Sequence, residues 1–171
     1  MDSASASAMA LMVAASAAAA VCAVVSRAVP WQGRQAAVSM AVGMLLLALP
    51  GVTVPVIAVA ALWVLSAMIG TVGLRGRPEA AGCCHRAIGA LAMTLCLLTG
   101  AAQGAGAAHT GHGVTVGLPL LSGAAVLAVT AWSVWAARAS EAIGASVVLL
   151  RVEVWTMTAG LLLMWGWHVL V

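Results

Sequence analysis

The sequence predicts an all-α protein: a polytopic transmembrane helical bundle of about six spans, in a single domain over 1–171. Three observations predict it. Apolar residues make up 64% of the chain and charged ones 6%, against roughly a quarter charged in an ordinary soluble domain. The apolar residues come in runs long enough to cross a bilayer. The seven bases, all arginine (Arg27, Arg34, Arg75, Arg77, Arg86, Arg138 and Arg151), fall in or beside alternate gaps between those runs.

This composition excludes whole classes of function. A soluble domain needs a charged surface. Seven arginines and the four acids Asp2, Glu79, Glu141 and Glu153 cannot supply one. A soluble enzyme, a nucleic-acid binder and a disordered tail are excluded on that ground. The expected surroundings are the lipid bilayer.

The spans follow in order. The first runs from about Ala6 to Val25 and is nearly all alanine and valine. The start, MDSASASAMA, has an acid and no base before the apolar stretch, unlike a signal peptide, so the span is expected to be retained. The second runs from about Trp31 to Leu49 and the third from about Val52 to Leu74. As one helix, Trp31 to Leu74 would reach roughly 65 Å, twice the bilayer. Pro50-Gly51 provides the break, because proline ends a helix and glycine permits the reversal. The fourth covers about Ala87 to Ala102, the fifth about Val116 to Ala137 and the sixth about Leu149 to Val171. The second and fourth are then short, which calls for little tilt or a locally thinned bilayer. The in-out alternation of a membrane barrel is missing.

Basic residues collect in cytoplasmic loops. With six spans, every arginine lies at one side, and the Pro50-Gly51 turn, the Gly-rich loop near His109 and both chain ends lie at the other. The expected location is therefore the cell (inner) membrane, multi-pass, with both termini outside. Gly100-x-x-x-Gly104 and Gly113-x-x-x-Gly117 fit the small-residue pattern of close helix contacts. With no Phe or Tyr, tryptophan alone fills the aromatic role. Trp31, Trp165 and Trp167 sit near span ends, where such rings anchor at the headgroups.

The second, fourth and sixth spans share a feature. Met40 and Met44, Met93 and Cys96, and Met157 and Met164 each recur at helical spacing. The third and fifth each follow a proline and carry tryptophan before the arginine side, at Trp63 and at Trp132 and Trp135. This suggests a helical-hairpin repeat in which the second and third spans are related to the fourth and fifth, with the sixth a half unit. Thioether and thiolate select Cu(I), and imidazole also suits copper. If the three spans share a seam, those six residues are candidate metal ligands. In the loop AAHTGHGV, His109 and His112 can chelate one ion if the loop curls, and His168, near the outer end of the last span, can add a third donor. Methionine as an apolar gap filler is the competing reading.

These residues resemble an actinobacterial family of small, multi-span, His- and Met-rich membrane proteins of unknown function. The resemblance covers about Trp31 to Val171 and rests on Met40 and Met44, His85 with Met93, the loop HTGHG, and Met157 and Met164. The family's pattern has a histidine opening each Met span. This chain keeps only His85, and the counterparts lie near Ala37 and Val154. The resemblance implies a fold and no established activity.

Cys83-Cys84-His85 is expected on the cytoplasmic side, as ligands for Cu(I) or Zn(II), as acylation sites, or as plain thiols. Cys22 reads as a small hydrophobe. Arg151 and Glu153 lie at the inner interface if the last span starts near Leu149, which fits the length rule, and near mid-bilayer if it starts near Ala142. In the second case Glu153 needs a partner on another span. No hydrolytic or phosphate-cradling motif occurs, so the expectation is not an enzyme. Two functions follow: binding or handling of copper or another soft metal, or a non-catalytic accessory subunit of a larger membrane complex, with a membrane-protein partner or a homo-oligomer. A channel or transporter ranks behind both, since only Gln103, Thr94, Thr99, Thr130, Thr156, Thr158 and Glu153 offer polar groups for a shared cavity.

Overall fold

The computed structural model describes residues 3–26, 29–76, 80–104, 112–139 and 146–170. They form six α-helices: α1 (Ser3–Val25), α2 (Trp31–Ala48), α3 (Val56–Thr71), α4 (Ala80–Gly104), α5 (His112–Ala139) and α6 (Ser146–Leu170). No strand occurs among the described residues.

Local chemistry sets several of the boundaries. Pro30 precedes α2, and its carbonyl accepts the first helical hydrogen bonds from Gly33 and Arg34. Pro55 starts α3 in the same way, accepting from Ala58 and Val59, since a proline lacking an N–H costs nothing at a helix start. Between them the chain reverses at Gly51, whose φ of +82° favours glycine. Residues 52–55 are not helical, so α3 starts later than expected. It ends before Gly73, where φ is +72°.

Four helices carry stretches long and apolar enough to cross a membrane: Ala6–Val25, Ala80–Gln103, Gly117–Trp135 and Val148–Trp167. These are the features of an integral membrane protein. α3, with 16 residues, is shorter. The fourth helix corrects the expectation of a short span, because it starts at Ala80 rather than Ala87 and takes in Cys83, Cys84, His85 and Arg86. Those residues look like loop by polarity, yet three of them are buried inside the bundle.

The packing has a simple plan. α1, α2, α4 and α6 close a four-helix ring, each touching the next. α3 lies against α2 and α4, and α5 against α4 and α6. α4 is therefore central, touching every helix but α1. The outward faces stay apolar, with Leu11, Ile57, Leu65, Leu120, Leu127 and Val148 all exposed. An inside no greasier than the outside suits lipid, where packing and not burial from water holds helices together.

Close approach does not fall at Gly117, one of the expected glycines. A Cβ on Gly117 would meet nothing within 4 Å, so the Gly113-x-x-x-Gly117 pattern marks no contact there. At Gly43, by contrast, a Cβ would lie 2.7 Å from Cε2 and 2.8 Å from Cζ2 of Trp63. That indole is fully buried, and its Nε1 donates to the Ser39 carbonyl at 3.0 Å. Gly123 similarly receives the ring of Trp165, 3.4 Å from where a Cβ would stand. Trp165 is thus packed between helices as well as near a span end. Trp31 is exposed.

Candidate metal centre

A small cavity lies inside the ring. It holds about 20 Å³ of free space, enough for roughly one water-sized occupant. Its lining comes from the four ring helices: Met12, Ser16 and Ala19 of α1; Ala37, Met40 and Met44 of α2; Met93 of α4; and Thr156, Met157, Gly160, Leu161 and Met164 of α6.

Six of those side chains are methionines, and all six are buried. Helical periodicity explains how each helix brings them in. On α1, Met12, Ser16 and Ala19 follow at steps of four and three. Ala37, Met40 and Met44 do so on α2, and Met157, Gly160 and Met164 on α6. Steps of three and four keep residues on one helix face. Small residues between the methionines leave room for the long side chains. Gly89 on α4 is the clearest case, because a Cβ there would lie 2.6 Å from Cε and 3.1 Å from Sδ of Met157.

Of the sequence candidates, Met40, Met44, Met93, Met157 and Met164 line the cavity together. Cys96 is buried in the same core but does not line it. Met12 was missed by sequence reasoning. Its signal was a methionine four residues before a serine on an otherwise alanine-rich span. Ala37 lines the cavity too. His109 lies outside the described residues, and His112 and His168 lie outside those whose side chains are described. Among the described residues, no three His, Cys, Asp or Glu side chains cluster to hold a metal. Thioethers are therefore the donors this site offers.

One helical turn before the cavity-lining Met157 of α6 lies an ion pair. Arg86 of α4 donates through Nε to Oε1 of Glu153 at 2.5 Å and through Nη2 to Oε2 at 2.6 Å. Both side chains are 4% exposed. This corrects the reading of Glu153 as a residue at the inner interface that snorkels into water. It is buried and held by a guanidinium on another helix. Arg151, two residues away, is exposed. The two-pronged geometry suits Arg, whose planar fork matches a carboxylate. Glu153 is four residues before Met157, and Arg86 seven before Met93. Each thus lies on its helix's cavity stripe.

Other polar groups nearby are satisfied locally. Thr156 donates to its own helix at the Val152 carbonyl, and Ser16 to that of Val13. Thr94, Thr99, Thr130 and Thr158 also donate to carbonyls of their own helices. Gln103 is exposed. These hydroxyls form no continuous polar lining. His85 differs, for it is buried and neither ring nitrogen has a hydrogen-bond partner. Cys83 is buried and Cys84 and Cys22 are half-buried, and none of the three forms a disulfide.

Comparison of the chain with family models, with curated proteins and with solved structures finds no match. The chemistry of the site must be read from its own residues.

Proposed function

We propose that this chain is a membrane-embedded, non-enzymatic binding protein for a soft metal ion, with Cu(I) the natural occupant of the methionine-lined cavity. The observation that supports it is the meeting of six thioethers from four helices around one space of about 20 Å³. Thioether sulfur is a soft donor that prefers Cu(I) to hard or oxygen-loving ions. Methionine is also a good filler of irregular gaps. A filler role, however, has no need of a space to which all four ring helices contribute methionine. The histidines His109, His112 and His168 belong to this reading as donors for an ion arriving from outside, with the arginines at the inner face of the cell membrane. Membership of the resembled actinobacterial family fits the same reading.

The test is metal loading of the purified full chain in detergent, under reducing conditions, against a chromophoric Cu(I) chelator. One Cu(I) per chain is expected. A paired Met44→Leu and Met157→Leu substitution keeps volume and apolarity, so stability should change by less than about 1.5 kcal/mol per site. Cu(I) retention should fall by more than tenfold. Unchanged retention in a folded double variant would leave the methionines as packing. Native purification with a second polypeptide at fixed stoichiometry, and no bound metal, would favour the accessory-subunit reading instead.

A further inference from the structure

Arg86 and Glu153 do more than brace two helices. We propose that Arg86 is a built-in stand-in for the metal: Glu153 is the counter-charge for a monovalent soft cation, and the guanidinium occupies it while the cavity is empty. The inference rests on the methionine reading and adds its charge selectivity and its switch.

The argument begins with charge. Thioethers are neutral, so a cuprous or silver ion among them keeps its full positive charge in a poorly polarisable interior. A buried charge needs a partner. Among residues with described side chains, Glu153 is the single buried acid. It lies one helical turn from Met157 and three residues from Thr156, both of which line the cavity. One carboxylate balances one positive charge, which favours a monovalent ion over a divalent one.

Arg86 already neutralises that carboxylate, through Nε and Nη2. Its third nitrogen faces a different helix: Nη1 is 3.0 Å from where a Cβ on Gly33 of α2 would stand. The guanidinium therefore bonds α6 and lies close against α2, the two ring helices that carry most of the methionines. An ion entering above Glu153 draws on the same carboxylate and loosens its hold on Arg86. That change is felt at Gly33, at the arginine-side end of α2. Cation binding and the hold of Glu153 on Arg86 are thus coupled.

The coupling makes a prediction of sign that a structural brace does not. The probe is Ag(I), a redox-inert soft monovalent ion, titrated into the full chain in lipid nanodiscs. Arg86→Gln leaves Glu153 free and should tighten Ag(I) binding, on the order of tenfold. Glu153→Gln leaves Arg86 positive beneath the cavity and should weaken it by a similar factor. The double variant, again neutral overall, should return close to wild type. A brace predicts that both single variants weaken binding alike or leave it unchanged, and either result would overturn the proposal. A wild-type readout guards against variants that fail to fold. Ag(I) loading should shift the carboxylate and guanidinium infrared bands, and stoichiometric loading without such a shift also overturns the proposal. The two readings fail differently: a wild-type protein that takes up no Ag(I) removes the methionine site itself, whereas uptake without the sign reversal or band shift removes only the coupling.

Discussion

Two glycines show how differently one added methyl can act in this bundle. At Gly43 the neighbour is the ring of Trp63, which is fully buried and tied to Ser39 by its indole N–H. The ring cannot yield, so Gly43→Ala should cost about 1–3 kcal/mol, as overpacking does. A clearly lowered unfolding temperature in detergent would be the sign. At Gly89 the neighbour is the flexible end of Met157. Gly89→Ala should cost little stability, because Cε and Sδ can swing aside, but it displaces a sulfur from the cavity. Cu(I) retention should drop several-fold while the melting curve hardly moves. The Arg86–Glu153 pair is the other residue-scale commitment. Removing one partner outright, as in Glu153→Ala, strands a buried guanidinium and should destabilise the protein by about 3–5 kcal/mol. Glu153 also shows where sequence reading stops. Its need for a partner on another span was legible if it lay deep. Which arginine would serve was not, because Arg86 looked like part of a loop.

At the scale of the helix, the six helices were legible because long apolar runs have few alternatives in lipid, and four of them carry stretches long and apolar enough to cross a membrane. The second helix ends and the third begins around Pro50, Gly51 and Pro55, as the local chemistry dictates. The errors lie where polar residues sit inside a helix. α4 begins at Ala80, since Arg86 is neutralised by Glu153 and the helix can continue through it. A single sequence does not show that neutralisation. The Met stripes were legible by period, but α1 was read as nearly all alanine and valine, so Met12 was lost from the set. Helix lengths lead to a further expectation. α2 has 18 residues and α3 has 16, or roughly 27 and 24 Å at 1.5 Å per residue, against a hydrocarbon core of roughly 30 Å. The mismatch should be relieved in thin bilayers. In vesicles of mono-unsaturated lipids of rising chain length, unfolding temperature should peak at the shorter chains and fall toward the longer. A peak at the thickest bilayer would mean that the helices α2 and α3 do not set the embedded depth.

For the molecule as a whole, the ring plan gives the six helices unequal roles. α1, α2, α4 and α6 hold the cavity, and α3 and α5 flank the central α4 from outside the ring. That division matches the sequence pattern in which the second, fourth and sixth spans carry the methionines, but it gives α1 a share that no repeat foretold. The ring also has two chemically distinct ends. Arg34 near the start of α2, Arg86 and Arg151 near the starts of α4 and α6, and Arg138 in the last turn of α5 all fall at one end if successive helices alternate in direction. By the positive-inside rule this end is expected to face the cytosol. Cysteine chemistry can decide it. Cys84 is half-buried near the start of α4, at the arginine end. In intact cells an impermeant maleimide should leave Cys84 unmodified and should label a cysteine placed at Thr110 in a Cys84→Ser background. Inverted vesicles should reverse the pattern. Labelling of both positions from the same side would break the alternation on which the ring's two ends, and the entry of an ion opposite Arg86, depend.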